Sequence, residues 1–254
     1  MDRWTGRVAI VTGSSAGIGA AIARLLVENS LRVVGVARRD ERVQELAEEL
    51  KKEGAKGELF AIKGDVTNEE DIKRVVKWTR ENLGGADVLI NNAGVAPDCP
   101  LTKFSSKNFR QLYDTNVVGL ALFTREVIQD MRSRGIDDGH IFNINSICGH
   151  SIIEMPEVGA YSGTKYAITA LTEGLRRELR DLKTKIRVTS ISPGIVRTEI
   201  AEAAGVPKKI SDSRFDENPC LEAKDVADAV LYALSAPPHV QVHELIIRPV
   251  GESF

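Results

Sequence analysis

Cysteine is scarce: Cys99, Cys148 and Cys220 are the only three in the chain, and no two of them stand in CxxC spacing. An odd number without that spacing indicates neither a disulfide framework nor a zinc site, so reduced thiols, a cytoplasmic location and no bound metal are expected. Long apolar runs are missing too; none approaches the roughly 18 residues that a membrane span needs. No N-x-S/T sequon occurs, and the opening MDRWTGRVAIVTG passes from charged residues through a short apolar run into glycine, without a secretory leader pattern. Nor is there an excess of one charge. The 34 basic and 36 acidic residues leave a formal net charge of −2 and are scattered along the chain. Nucleic acid and an anionic membrane therefore have no electrostatic footprint, and small-molecule chemistry is left open.

What is present is a regular alternation. Short β-branched runs, RVAIVT, RVVGVA, ELFAIK, DVLIN, HIFNIN, IRVTSIS and HELIIRPV, are separated by helix-length amphipathic segments. Runs such as VAIV and DVLI are apolar without polar alternation, as strands covered on both faces must be. The expected fold is a single α/β domain over residues 1–254: a Rossmann-type, doubly wound parallel sheet of about seven strands with helices on both faces. Helix starts are signalled at Asp40, before ERVQELAEEL, and at Thr67, whose spacing to Glu70 makes a capping box. One helix is expected from about Ser106 to Met131 and another from about Tyr161 to Leu182. Between Val196 and Pro219 the alternation fails, and a long irregular insert of this kind is usually functional, here a lid over a substrate site.

TGSSAGIG, residues 12 to 19, lies between the first strand and the first helix. Gly13 allows a tight turn, Gly17 lets the backbone approach a pyrophosphate, and Gly19 lets helix and strand pack closely, while the helix N-terminus presents free N–H groups to phosphate. A P-loop is the rival reading, but it requires Lys and Ser/Thr after the second glycine, where Ile18-Gly19-Ala20 stands. An NAD site would place Asp or Glu at the end of the second strand. Ala37 is there instead, followed by Arg38 and Arg39, and guanidinium groups accept a 2′-phosphate bidentately. NADP(H) is the expected cofactor, with Arg38 its principal contact and Arg39 assisting.

Tyr161 and Lys165 are four residues apart on the helix expected over GAYSGTKYAI, so both can face one cleft, whereas Tyr166 points elsewhere, into packing or an interface. A free phenol has a pKa near 10, and a neighbouring ammonium together with an oxidised nicotinamide favours phenolate, the direction an acid/base group needs. His140 and His150 read as solvated loop residues without a catalytic part. Residues that follow the strands, Ala96, Pro97, Ile147, Cys148, Val158 and Ile195, with the insert around Ile200 to Ile210, form the expected substrate pocket. They are mainly apolar, which favours a hydrophobic alcohol or carbonyl over a sugar or charged acid.

TGSSAGIG fits TGxxxGxG, INNAG contains NNAG, and YSGTK fits YxxxK; in this order and spacing the chain resembles the short-chain dehydrogenase/reductase family. The resemblance implies catalytic roles for Ser146 in NINSICG and Asn116 in YDTNVVG beside Tyr161 and Lys165, with Asn116 holding a water that relays protons from Lys165. It implies cofactor contacts from Ser14, Ser15 and Ile18 in the cradle, from Asp65 and Val66 at the adenine, from Asn92, Ala93 and Gly94, and from Pro193, Gly194, Val196 and Thr198 near the nicotinamide. Ser146 and Tyr161 are fifteen residues apart, about two more than is usual in the family, so the loop HSIIEMPEVG is expected to be enlarged. WTGRVAIVTGSSAGIG and DDGHIFNINSICGH are similar to the farnesol dehydrogenase subgroup of insects and to related vertebrate steroid and carbonyl reductases. A terpenoid alcohol such as farnesol is the implied substrate, with a keto-steroid or general carbonyl as the alternative, and a homodimer or homotetramer through the 106–131 and 161–182 helices is the expected assembly. A cofactor-binding regulator that had lost catalysis would lack the tyrosine or the lysine, and this chain has both.

Overall fold

In the computed structural model, which describes residues 1–153, 158–203 and 205–252, the apolar runs form strands β1 (Val8–Thr12), β2 (Arg32–Ala37), β3 (Glu58–Lys63), β4 (Val88–Asn91), β5 (His140–Ile144), β6 (Arg187–Pro193) and β7 (Glu244–Ile247). They join one parallel sheet in the order β3-β2-β1-β4-β5-β6-β7. The chain thus winds outward from β1 in one direction and, from β4 onward, in the other. At such a reversal the crossovers diverge and a crevice opens beyond the carboxyl ends of the strands.

Successive side chains of a strand point to opposite faces, so a strand covered on both sides must be apolar throughout. Accordingly Ala9 and Val11 enter one core with Val33, Val88 and Ile90, while Val8 and Ile10 enter the other with Val34, Val36 and Leu89. Burying each Val, Leu or Ile side chain contributes about 1.5–3 kcal/mol, and these positions tie every central strand to both helical layers. Trp4 adds a clamp across the first core, where its indole N–H donates to the Leu234 carbonyl at 2.9 Å.

The helices are α1 (Gly17–Glu28), α2 (Asp40–Lys52), α3 (Glu69–Leu83), α4 (Ser106–Tyr113), α5 (Leu120–Ser133), α6 (Gly159–Asp181), α7 (Ile200–Ala203), α8 (Lys208–Glu217) and α9 (Ala223–Ser235). Several expectations are corrected. The single helix foreseen over 106–131 is α4 and α5 joined by a wide, π-type turn at Asp114–Gly119. Asp40 is the first residue of α2 rather than its cap, and serves with Glu41 as negative charge in the first turn, where the helix dipole favours it. At α3 the cap is Asn68, whose side chain accepts from the N–H groups of Glu70 and Asp71, while the Thr67 hydroxyl turns back to Asp65 Oδ1 at 2.8 Å. The insert at 196–219 is not wholly irregular, because it contains α7 and α8. His140 is fully buried at the start of β5, with Nε2 2.8 Å from Thr189 Oγ1. Burial, with Arg187 and Arg3 nearby, pushes it well below the ordinary histidine range. Of the loop expected to be enlarged, residues 154–157 lie outside the described residues.

Asn68→Ala is expected to destabilise the protein by about 1 kcal/mol in urea denaturation, the ordinary cost of losing a helix N-cap, whereas Thr67→Ala, which removes no cap, should cost less than half as much.

Candidate functional site

A cleft of about 580 Å³ lies beyond the carboxyl ends of the strands and runs from the end of β2 to the end of β6. Its floor is the turn between β1 and α1. Gly13 takes φ +67°, and a Cβ there would lie 2.8 Å from the Ala93 backbone; a Cβ on Gly19 would collide with Gly13 O and the Asn92 amide. Asn92 holds this turn: its Nδ2 donates to Thr12 O at 2.8 Å and to Gly13 O at 3.2 Å, while Thr12 Oγ1 accepts from the backbone N–H groups of Asn92 and Ala93 at 3.0 Å. Ala16, the residue before α1, offers no side-chain cap, so the first-turn N–H groups beside the cleft remain free to receive an anion.

At the β2 end, Arg38 and Arg39 both line the cleft. Arg38 is exposed and, among the described residues, has no hydrogen-bond or ion-pair partner. Arg39 lies 3.6 Å from Glu199, whose carboxylate is bound more closely by Arg42 at 2.8 Å. A glycine turn that a Cβ would fill, free helix amides and an unpaired guanidinium one strand away make a set that fits a phosphorylated dinucleotide.

At the other end, Ser146, Tyr161 and Lys165 line the same cleft. Ser146 follows β5, and its Oγ accepts from Cys148 N at 3.1 Å. Lys165 Nζ donates to Ile144 O at 3.0 Å and lies 5.5 Å from the centroid of the Tyr161 ring. Burial pushes the phenol above its ordinary range, with Cys148 adding to the effect and the Ser146 hydrogen bond opposing it. The same burial pushes Lys165 down to about 8. The protein alone therefore does not lower the phenol pKa as the sequence suggests, because loss of hydration is the largest effect on it.

Asn116 is buried in the π-type turn. Its Oδ1 accepts from Val95 N at 2.9 Å, and its Nδ2 donates to Val95 O at 3.0 Å and Thr164 Oγ1 at 3.2 Å. Both amide protons are thus used in tying the loop after β4 to α6 between Tyr161 and Lys165. That is a bracing role for the side chain.

Of the other residues singled out above, Ser15, Gly17, Ile18, Asp65, Val66, Asn92, Ala93, Gly94, Pro193, Gly194, Val196 and Thr198 line the cleft. Ser14 lies beneath it with its Oγ directed to Val36 O, and Tyr166 faces outward, 42% exposed. The expected pocket residues Ala96, Pro97, Ile147, Cys148, Val158 and Ile195 are not among the lining. From the insert around Ile200 to Ile210, Ile200 and Ala203 line the cleft, and Val95 and Ile144 complete its apolar wall. The six lie beyond the ends of their strands, where the strand period no longer says which side chain faces in. The polar ties beneath the site also escaped the sequence: Asn91 Nδ2 donates to Thr124 Oγ1 and Asn143 Oδ1, and Asn143 Nδ2 to Thr172 Oγ1, each at 2.9 Å.

The family model described as short chain dehydrogenase matches residues 7–208. The chain is 48% identical over 254 residues to a dehydrogenase/reductase SDR family member 11 of Gallus gallus, covering 99% of each chain. It is also 48% identical over 255 residues to a farnesol dehydrogenase of Aedes aegypti, covering 100% of each. Among solved structures, a serine dehydrogenase in its closed form complexed with NADP+ superposes with a TM-score of 0.88 at 31% identity, covering 97% of this chain and 96% of that one.

Asn116→Ala would leave both polar groups of Val95 without that partner. A loss of about 1–3 kcal/mol is expected in thermal or urea unfolding, as for other part-buried backbone groups left unpaired.

Proposed function

The chain belongs to the short-chain dehydrogenase/reductase family, and on that premise we propose that it is an NADP(H)-dependent oxidoreductase moving hydride between the nicotinamide and a hydrophobic alcohol or carbonyl, a farnesol-type terpenoid alcohol foremost. The observation that carries this reading is a single cleft with Ser146, Tyr161 and Lys165 at one end and a glycine turn with Arg38 at the other. The full-length similarity to the Aedes aegypti farnesol dehydrogenase supports the substrate. The second reading is a keto-steroid or general carbonyl reductase, and equal identity to the Gallus gallus dehydrogenase/reductase supports the reductive direction.

The turn through Gly13, Ser15, Gly17 and Ile18 would hold the pyrophosphate, Arg38 the 2′-phosphate, and Asp65 and Val66 the adenine; Asn92, Ala93, Gly94, Pro193, Gly194, Val196 and Thr198 would border the rest. Bound there, the nicotinamide supplies the centre that accepts or gives up hydride. In oxidation Tyr161 takes the alcohol proton on its phenolic oxygen; in reduction it gives that proton to the forming alkoxide. Burial favours the protonated phenol, the form that donates in reduction. Oxidation calls on the positive charges of Lys165 and the oxidised cofactor to stabilise the phenolate. Ser146 holds the same substrate oxygen in line. Asn116 braces the helix that carries the pair, and Val95 and Ile144 supply apolar wall beside Tyr161 and Lys165.

No helix among the described residues is long and apolar enough to cross a membrane, and all three cysteines are free; both are compatible with the cytosolic location we propose. Exposed Val118, Tyr166 and Leu171 support a homodimer or homotetramer that covers them.

Assayed on isoprenoid alcohols with NADP+, and on ketones with NADPH, Tyr161→Phe should lose at least about a hundredfold in kcat, the usual scale of general acid/base catalysis, while NADPH binding followed by fluorescence stays within a few fold. Comparable residual turnover would refute the role of the phenol. Arg38→Asp should shift the ratio of kcat/KM for NADPH over NADH toward NADH by at least about tenfold, the equivalent of one charge-assisted contact; an unchanged ratio would remove the 2′-phosphate assignment.

A further inference from the structure

Glu252 is a carboxylate where carboxylates are rarely found, with its side chain 2% exposed. It lies in the turn that follows β7, where Glu252 N donates to Pro249 O at 3.3 Å, and that turn folds back onto the end of β6. Oε1 accepts from Ile195 N at 3.0 Å, and Oε2 is bound by the Arg248 guanidinium. Gly194 has no side chain to keep it away: a Cβ there would stand 2.5 Å from Glu252 Oε1. On the other side of the same turn, Ile195 O accepts from Leu221 N at 2.8 Å, and Gly194 N donates to Ile247 O at 2.8 Å. The backbone from Pro193 to Ile195 is thus gripped by segments far away in sequence.

Pro193 and Gly194 line the cleft. β6 pairs with β5, which leads into Ser146, whereas Arg38 follows β2 on the far side of the sheet. The gripped backbone is therefore a wall of the reactive end and remote from the phosphate end. A buried carboxylate costs several kcal/mol of hydration unless its partners repay it, and here one of those partners is a backbone N–H of the cleft wall.

We propose that Glu252 is a positioning residue, which fixes the Pro193–Ile195 backbone from behind and so sets the seat of the nicotinamide end of the cofactor without touching it. The inference rests on the cofactor reading above. Its test compares NADPH with adenosine 2′,5′-bisphosphate, which carries the phosphate end and lacks the nicotinamide, by isothermal titration of the full chain. Glu252→Ala should weaken NADPH about tenfold, as expected for one lost charge-assisted hydrogen bond, and leave the bisphosphate within about twofold. Glu252→Gln, whose amide oxygen still accepts from Ile195 N, should restore most of the NADPH affinity. Arg248→Met, at a half-exposed side chain that folding tolerates, removes the other restraint on the carboxylate and should shift NADPH in the same direction by about twofold; it decides the matter where Glu252→Ala does not fold. Equal weakening of both ligands, weakening of neither, or a Gln variant as poor as Ala overturns the proposal. A wild-type protein that binds neither ligand fails instead at the cofactor reading, and the inference falls with it.

Discussion

A parallel strand with helices on both faces has no free place for a polar side chain along its length, and everything else about the molecule follows from that constraint. β1 is buried from Val8 to Thr12, and β5 and β6 are buried throughout. Chemistry is pushed to the carboxyl ends, where strand gives way to loop and backbone amides become available. Where polar side chains do enter the sheet they meet partners: His140 meets Thr189, and Asn91 and Asn143 form a ladder to Thr124 and Thr172 on the flanking helices, which ties α5 and α6 to the strands that end beside the cleft.

The same exclusion of water shapes the site's electrostatics. Burial moves Tyr161 up and Lys165 down to about 8, each toward its neutral form, so a phenol and an amine of ordinarily similar basicity are drawn apart. Ser146 opposes the shift at the phenol and Cys148 the shift at the amine, whose Nζ keeps the Ile144 carbonyl as a partner. The pair is held in a desolvated setting where a positive charge arriving nearby has more influence on the proton than it would in water.

Features set by neighbouring residues were legible in the sequence. The glycine turn, the arginines after β2, the four-residue spacing of Tyr161 and Lys165, and the alternation that makes a doubly wound sheet are all local patterns with one structural solution. Features set by distant partners were not. Nothing near Asn116 announces Val95, nothing near Ile195 announces Glu252, and the course of the loops beyond the strand ends, which decides that Val95 lines the wall and Ala96 does not, is set by packing and not by local pattern. At α3 the spacing of Thr67 and Glu70 satisfied a capping pattern, yet Asn68 took the position because Asp65 had already engaged the threonine.

The wide turn at Asp114–Gly119 sets the phase of the two helices it joins. An α-helix advances about 100° per residue, so the loosened winding of a π-type turn rotates everything beyond it relative to everything before. A straight rod of this length would show one apolar stripe to one neighbour. Here α4 packs against α6 while α5 packs against α3, and Phe123, Val127 and Met131 of α5 enter the second core. The turn acts as a coupling between two angular settings, one that aims Leu112 and the Tyr161 helix at each other and one that closes the sheet from above. Its length in residues is therefore as constrained as its composition.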